Sequence, residues 1–302
     1  MPNNDVISAV AACSAKINLT LDVLGRRADG YHEIESVVQS VGLWDRLTIE
    51  LRSGNGINVT STVDDLPVGV GNTVYRACAA FLEASSLNYD VRVHIEKGIP
   101  REAGLGGGSS DAAGVLTALN NILSSPVDKE RLLRIAASIG SDVPFFLIGG
   151  TAVVHGRGEH VRPLPPAPDM HLVIAKPSVG VSTAWAYRRI DESASKSSRS
   201  SIKAVQAVLA GDRAALIDSL SNDFQDVIEE SYLEIVVLRR KLLDLGAEAA
   251  VLCGSGSSVF GVFPCPMSAR RAADEIRSEC EFAEAVSTVG QAIVLEKCSV
   301  QS

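Results

Sequence analysis

Ile99 to Ala113 read I-P-R-E-A-G-L-G-G-G-S-S-D-A-A, and four of these residues are glycines. Upstream, Val91 to Ile95 alternate between apolar and polar residues, which predicts a strand. Downstream, an apolar stripe at helical spacing predicts a helix from Ser110 to about Leu123. Glycines let a ligand approach the backbone, and a helix start offers unpaired N–H groups and a partial positive charge. The segment is therefore a candidate phosphate-binding loop, with a flexible turn capped by a serine as the alternative.

Three well-known loop types do not fit this segment. No Gly-Lys-Ser/Thr follows the glycines, which excludes a Walker A loop. The dinucleotide-binding fingerprint fails because the sixth position is Ser109 counted from Gly104, and Asp111 counted from Gly106. The hydrolase pattern G-x-S-x-G fails because the fifth residue from Gly108 is Ala112.

Composition narrows the class of protein. The chain has 302 residues, 46% of them hydrophobic, which predicts a folded protein with two domains or one large one. Its 28 Lys and Arg against 36 Asp and Glu give a net charge of −8, so no nucleic-acid partner is expected. No apolar run reaches the roughly 20 residues that span a membrane, so no membrane partner is expected either. Met1 to Asp5 lack secretory-signal features, and none of the six cysteines forms a C-x-x-C pair; we expect a cytoplasmic protein.

The order of elements predicts the fold class. A helix is expected to start at Asn72-Thr73, and strands and helices then mix without strict alternation, which favours α+β. Val161 to Asp169 carry four prolines and cannot form regular helix or a central strand. We therefore predict two domains, residues 1–165 and 166–302.

The glycine-rich loop has a longer form of a known pattern. P-x-x-x-G-L-G-G-G-S-S-D-A-A, starting at Pro100, resembles the phosphate loop of the GHMP kinases, the superfamily of galacto-, homoserine, mevalonate and phosphomevalonate kinases. Three further segments resemble the same branch of the superfamily as the longer loop: A-K-I-N-L at 15–19 with R-A-D-G-Y-H-E-I at 27–34, G-S-D-V-P-F-F at 140–146, and C-G-S-G-S-S-V-F at 253–260, the last of which looks like the superfamily's third, glycine-rich motif. The longer loop resembles one branch, which acts on a methylerythritol carrying a cytidine diphosphate group in the non-mevalonate route to isoprenoid precursors.

The resemblance implies a two-domain α+β kinase fold with an active-site cleft between the domains. It also implies direct transfer of the γ-phosphoryl group of ATP to the 2-hydroxyl of that substrate, without a phosphoenzyme. Mg²⁺ is expected with ATP, and the sequence assigns it no protein ligand. The nucleotide-binding residues implied are Asn72, Lys97, Pro100, Gly104, Leu105, Gly106, Gly107, Gly108, Ser109 and Ser110. For Asn72 and Lys97, a helix cap and a solvated strand-end lysine are the plain alternatives.

The resemblance gives catalytic roles to two residues. Asp142 is implied as the base that accepts the proton of the substrate hydroxyl, and Lys16 as its electrostatic partner. Taken alone, Asp142 could be a turn or N-cap aspartate, and Lys16 a solvated lysine on a strand. Asn18 shares a strand face with Lys16 by the period of two and is expected to orient the substrate.

The remaining implied contacts concern the cytidine diphosphate group. The expected substrate-binding residues are Asn18, Tyr31, His32, Thr183, Tyr187, Gly254 and Ser255. Tyr31 would stack on the cytosine and His32 would hydrogen-bond its edge. Trp185 competes with Tyr187 for the second aromatic wall, and residues 254–258 are alternatively a tight turn between strands. Asp111, if it approached the triphosphate, would repel it, so a cap or a place facing the adenosine is expected.

Two rival functions remain at this point. One is another small-molecule kinase of the superfamily, of the homoserine or mevalonate type. The other is a catalytically silent, nucleotide-binding regulator, against which the presence of both Lys16 and Asp142 argues. The oligomeric state cannot be read from the sequence.

Overall fold

The computed structural model describes residues 6–64, 66–193 and 197–301, which form two β-sheets with helices packed on them. Met1 to Asp5, on which part of the localisation prediction rested, lie outside these ranges. The larger sheet contains β1 (Val6–Asn18), β2 (Thr20–Arg26), β3 (His32–Arg52), β4 (Gly56–Ser61), β5 (Asp90–Glu96), β6 (Thr151–Gly156), β7 (His160–Pro163), β9 (Ser221–Asn222) and β13 (Ile293–Gln301). The smaller sheet contains β8 (His171–Lys176), β10 (Ala249–Leu252), β11 (Val259–Phe263) and β12 (Phe282–Ser287).

The α-helices connect the strands and cover the sheets. They are α1 (Thr73–Ser85), α2 (Gly107–Ile122), α3 (Lys129–Ile139), α4 (Val143–Ile148), α5 (Thr183–Glu192), α6 (Ser201–Ala210), α7 (Arg213–Ser219), α8 (Gln225–Glu229), α9 (Leu233–Asp244) and α10 (Pro266–Ile276). Within the described ranges, no helix is long and apolar enough to cross a membrane.

Strand β3 organises the larger sheet. It is 21 residues long, and its alternating Leu47, Ile49 and Leu51 are buried. One edge of β3 pairs antiparallel with β2 and then β1, and the other edge pairs with β6 and then β5. The C-terminal strand β13 pairs with β1, so the last described element of the chain belongs to the first sheet.

The smaller sheet is antiparallel throughout, in the order β10-β11-β8-β12. The chain enters this sheet after the proline-rich stretch, and β7, which comes just before, pairs with β6 at the edge of the larger sheet. Mostly antiparallel sheets combined with helices confirm the predicted α+β class. The division between residues 165 and 166 stays a prediction.

Three apolar cores hold these layers together. One lies between the larger sheet and helices α1 to α4, where α2 comes so close to β1 that a Cβ at Gly114 would overlap the Cys13 sulfur. A second lies around the smaller sheet and helices α5, α8, α9 and α10. The third joins the sheets to each other: Ile17 and Val37 from the larger sheet cluster with Ile174 and Phe260 from the smaller one. The two sheets therefore meet at a packed junction.

Candidate active site

The glycine-rich loop runs from the end of β5 into α2. Gly106 takes a left-handed conformation (φ 74°) at the N-cap, so the chain turns directly into the helix at Gly107. The helix thus begins three residues before its predicted start at Ser110, and Gly107 and Gly108 lie in its first turn. The amides of the first turn have no carbonyl partner within a helix, which makes this turn a site for anions.

A cavity of about 350 Å³ opens beside this loop. Nine of the ten predicted nucleotide-binding residues line it: Asn72, Lys97, Pro100, Gly104, Leu105, Gly106, Gly107, Gly108 and Ser109. The tenth, Ser110, is buried below it, and its hydroxyl has no hydrogen-bond partner among the described residues.

Asn72 and Lys97 line the cavity but are already engaged by the protein. The Asn72 side chain accepts a hydrogen bond from the Val74 amide (2.8 Å) and donates one to the Pro67 carbonyl (3.0 Å), so it caps α1. Lys97 donates to Asp45 and to Asp111 (3.0 Å). The plain alternative for Asn72, a helix cap, is therefore present in the structure.

Asp45 is the buried partner of the cavity-lining Lys97, and the motif reasoning missed it. Its carboxylate is fully buried, pairs with Lys97 and accepts hydrogen bonds from the amides of Gly98 and Ile99, both at 2.8 Å. A signal was present in the sequence, because Leu43, Asp45 and Leu47 fall on one face of a strand with a period of two. A charge on an apolar strand face needs a buried partner.

Lys16 and Asp142 lie together beside the loop. The Lys16 Nζ is 4.0 Å from Asp142 Oδ2 and donates to Asn18 Oδ1 at 2.6 Å. Asn18 in turn donates to the Ser36 hydroxyl at 2.8 Å. The backbone amide of Lys16 donates to the Leu105 carbonyl (3.0 Å), which ties β1 to the glycine-rich loop.

Asp142 keeps its carboxylate available. It occupies the N-cap position of α4, yet its side chain makes no capping hydrogen bond and is 48% exposed. The Lys16 side chain is only 7% exposed, so this cation is held inside the fold while the carboxylate faces solvent. That arrangement suits a base that must receive a proton from a bound molecule.

An aromatic group lies next to this pair. The His32 ring stacks on Tyr187, with ring centroids 4.5 Å apart, and Tyr187 packs edge-on against Phe224. Burial, together with the negative charge of Asp142, raises the pKa of Tyr187 to about 12, which places Tyr187 in the field of Asp142. Trp185, the rival for the aromatic wall, packs against Tyr232 instead.

Tyr31 lies at the open side of this group. It is 56% exposed, and the guanidinium carbon of Arg157 sits 4.8 Å from its ring centroid. The adjoining Gly158 approaches Asp142, since a Cβ there would lie 3.7 Å from Asp142 Oδ1. Arg157 was not predicted, and no local motif marks it.

The smaller sheet supplies the opposite wall. The Thr183 and Ser255 hydroxyls are hydrogen-bonded to each other at 2.8 Å, which brings together two predicted substrate contacts. A Cβ at Gly254 would lie 3.1 Å from the Gly104 carbonyl and 3.5 Å from Lys16 Nζ. The two glycine-rich loops thus meet directly above the lysine.

Comparison with known proteins identifies the family of the chain. The GHMP kinases N terminal domain model matches residues 72–150, and the GHMP kinases C terminal model matches residues 204–281. A Moorella thermoacetica protein, named 4-diphosphocytidyl-2-C-methyl-D-erythritol kinase, is 44% identical over 87% of this chain and 92% of its own length. A Pelotomaculum thermopropionicum protein of the same name is 42% identical over 90% of this chain and 94% of its own length.

Solved structures repeat the architecture. A crystal structure of 4-(cytidine 5'-diphospho)-2C-methyl-D-erythritol kinase matches with a TM-score of 0.79 and 34% identity, over 93% of this chain and 99% of that one. A homoserine kinase from Cytophaga hutchinsonii matches with a TM-score of 0.76 at 18% identity, over 95% of this chain and 97% of that one, and shows the same fold. The family models, the relatives above 40% identity and the shared two-sheet fold confirm the predicted resemblance: the chain belongs to the GHMP kinases, a family of small-molecule kinases.

Proposed function

We propose that this chain transfers the γ-phosphoryl group of ATP to the 2-hydroxyl of 4-diphosphocytidyl-2-C-methyl-D-erythritol, in the non-mevalonate route to isoprenoid precursors. The observation that carries the proposal is the Lys16–Asp142 pair, 4.0 Å apart, at the junction of the glycine-rich loop and the stacked His32 and Tyr187. The names of the relatives above 40% identity support the choice of substrate.

The cavity beside the loop offers contacts suited to ATP. It offers the first-turn amides of α2, at Gly107 and Gly108, to the phosphates, and apolar side chains at Leu66, Val74 and Ile95 to the base. Mg²⁺ bound to ATP would offset charge on the transferred group, as in other phosphoryl transfers. Magnesium keeps several waters and phosphate oxygens as ligands, so it can enter the site with the nucleotide.

The residues of this chain then divide the work. Asp142 accepts the proton of the attacking hydroxyl, and the Lys16 ammonium lies close enough to both Asp142 and Asn18 to hold them in place. Tyr31, His32 and Tyr187 receive the cytosine, and Thr183, Gly254 and Ser255 close the site from the smaller sheet. Little covalent chemistry is required of the protein, because phosphoryl transfer depends on alignment and charge.

The test is a coupled ADP-release assay with Mg-ATP, offering the cytidyl substrate, homoserine, mevalonate and galactose in parallel. We expect turnover only with the cytidyl substrate. Asp142→Asn should lower kcat by about 10²–10⁴-fold, the usual contribution of a general base. Asp169→Asn, an exposed aspartate outside the site, is the matched control and should retain wild-type turnover.

Each result bears on a different part of the proposal. Turnover with another alcohol would overturn the substrate while leaving a kinase. ATP binding without turnover on any of the four would overturn the kinase proposal in favour of a regulator. An Asp142→Asn variant with wild-type kcat would remove Asp142 from the role of base.

A further inference from the structure

The buried ring of His32 has a partner on helix α5. The Nε2 atom lies 2.7 Å from Asp191 Oδ1, and the residue is only 8% exposed. Asp191 follows Tyr187 by four residues on α5, so both side chains project from one face of that helix onto the same imidazole. Tyr187 stacks on the face of the ring, and Asp191 is hydrogen-bonded to Nε2 at its edge.

This contact determines which ring nitrogen carries the proton. An ionised carboxylate only accepts hydrogen bonds, so the hydrogen of a neutral His32 must sit on Nε2. The other nitrogen, Nδ1, then presents a lone pair, and within residues 6–64, 66–193 and 197–301 nothing donates to it. The Nδ1 lone pair is therefore available to accept a hydrogen bond from a bound molecule.

We propose that Asp191 is a positioning residue that makes His32 a hydrogen-bond acceptor, and that the site thereby selects a base edge carrying an amino group over one carrying a carbonyl. The inference rests on the proposed function, because it requires the cytosine to enter beside Tyr187. Cytosine presents an amino donor where uracil presents a carbonyl acceptor. The cytosine amino group can donate a hydrogen bond to the lone pair at Nδ1. The uracil carbonyl cannot donate, so two acceptors would face each other.

The first experiment compares kcat/KM for the cytidine diphosphate substrate with that for its uridine diphosphate analogue. The wild type should prefer the cytidyl substrate by at least about 100-fold, since a site built to pair with a donor rejects the analogue that lacks it. Asp191→Asn should lower that preference about tenfold or more, because an amide can accept from Nε2 or donate to it and so no longer fixes the tautomer.

Two further variants separate position from charge. Asp191→Glu retains a carboxylate and should restore most of the preference. Glu192→Gln is the matched control, because it removes the neighbouring carboxylate of the same helix end, which pairs with Arg189. Its cytidyl preference should equal that of the wild type.

The second experiment reads the tautomer directly, by ¹⁵N NMR of the His32 imidazole in the protein without substrate. The wild type should carry its proton on Nε2 alone, and Asp191→Asn should show a mixture. A fall in overall stability would not change this signature. A wild-type ring protonated on Nδ1, or on both nitrogens, would overturn the inference.

The kinetic outcomes distinguish this inference from the function beneath it. A wild type that phosphorylates the cytidyl and uridyl compounds equally well leaves the proposed function standing and overturns the role of Asp191. An unchanged preference in Asp191→Asn does the same. A wild type that phosphorylates neither compound overturns the proposed function, and the inference falls with it.

Discussion

Lys97 shares one ammonium between two buried carboxylates at the cavity beside the glycine-rich loop. Asp45 is fully buried and Asp111 is 2% exposed, and both accept from Lys97 Nζ. Asp111 lies in the second turn of α2, while Asp45 also receives two amides of the segment that follows β5. The cluster therefore fixes the start of helix α2 against the sheet, and Asp111 pairs with Lys97 while also lining the cavity beside the glycine-rich loop.

The charge balance of this cluster predicts a pH dependence of stability. Burial, and then the negative charge of Asp45, raise the pKa of Asp111 to about 8, while Lys97 opposes the shift. The folded state then keeps a proton on Asp111 that the unfolded chain releases near pH 4. The free energy of unfolding therefore falls as the pH rises from about 4 to about 8. As the pH rises from about 6 to 8, the free energy of unfolding of the wild type should fall by about 2 kcal/mol relative to that of Asp111→Asn, whose side chain does not titrate.

Urea unfolding of both proteins at several pH values measures this difference. Asp218→Asn is the control, because Asp218 is exposed on α7 and its environment changes little on unfolding. Stability curves of wild type and Asp111→Asn that stay parallel from pH 6 to pH 9 would contradict the prediction.

At the scale of elements, the site depends on two loops that approach each other without side chains. Gly104 has φ 75°, and a Cβ there would overlap the carbonyl oxygen of Cys253 on the facing loop. Gly254 makes the equivalent approach from the facing loop, because a Cβ built on Gly254 would lie 3.1 Å from the Gly104 carbonyl oxygen. The glycines therefore allow backbone to pack on backbone above Lys16.

Gly104→Ala should consequently separate the two loops. We expect a loss of about 1–2 kcal/mol from the left-handed backbone alone, as for any alanine placed there, and at least a tenfold lower kcat/KM for ATP from the displaced loop. Gly211→Ala is the matched control, since Gly211 also has a left-handed backbone (φ 65°) but opens to free space. It should lose only the stability that the left-handed backbone costs and keep its activity; equal kinetics in both variants would contradict the argument.

The sequence predicted elements that are marked by residues close to one another in the chain, such as a helix cap. The helix expected to start at Asn72-Thr73 is α1, which begins at Thr73 with Asn72 as its cap. Helix α2 begins earlier than predicted. Glycines disfavour helices in general, so the sequence did not indicate a start at Gly107. In the structure, the left-handed Gly106 turns the chain directly into the helix. The six-residue α4 is too short to show a period.

The unpredicted parts of the site are contacts between distant residues. His32 meets Asp191 across 159 positions, and Lys97 meets Asp45 across 52. A period or a motif describes neighbours in the chain and carries no information on such pairs. Asp45 is the exception, because its place on an apolar strand face already required a partner inside the fold.

At the scale of the whole molecule, the two sheets are joined more firmly than two independent domains would be. Ile17 and Val37 share a fully buried core with Ile174 and Phe260. Separating the sheets would expose such side chains at about 1.5–3 kcal/mol each. After the last strand of the smaller sheet, the chain goes back to the larger sheet, where β13 pairs with β1.

This connection predicts that both halves unfold together. The chain has two tryptophans, Trp44 on β3 and Trp185 on α5, so each half carries one fluorescent reporter. In urea, Trp44→Phe and Trp185→Phe leave one reporter each, and both should show the same midpoint and the same slope, as expected for one cooperative transition. Far-UV circular dichroism of each variant controls for the substitution itself. A Trp185 signal lost at lower urea than the Trp44 signal would mean that the smaller sheet opens by itself, and that the shared core does not hold the two walls of the cleft in register.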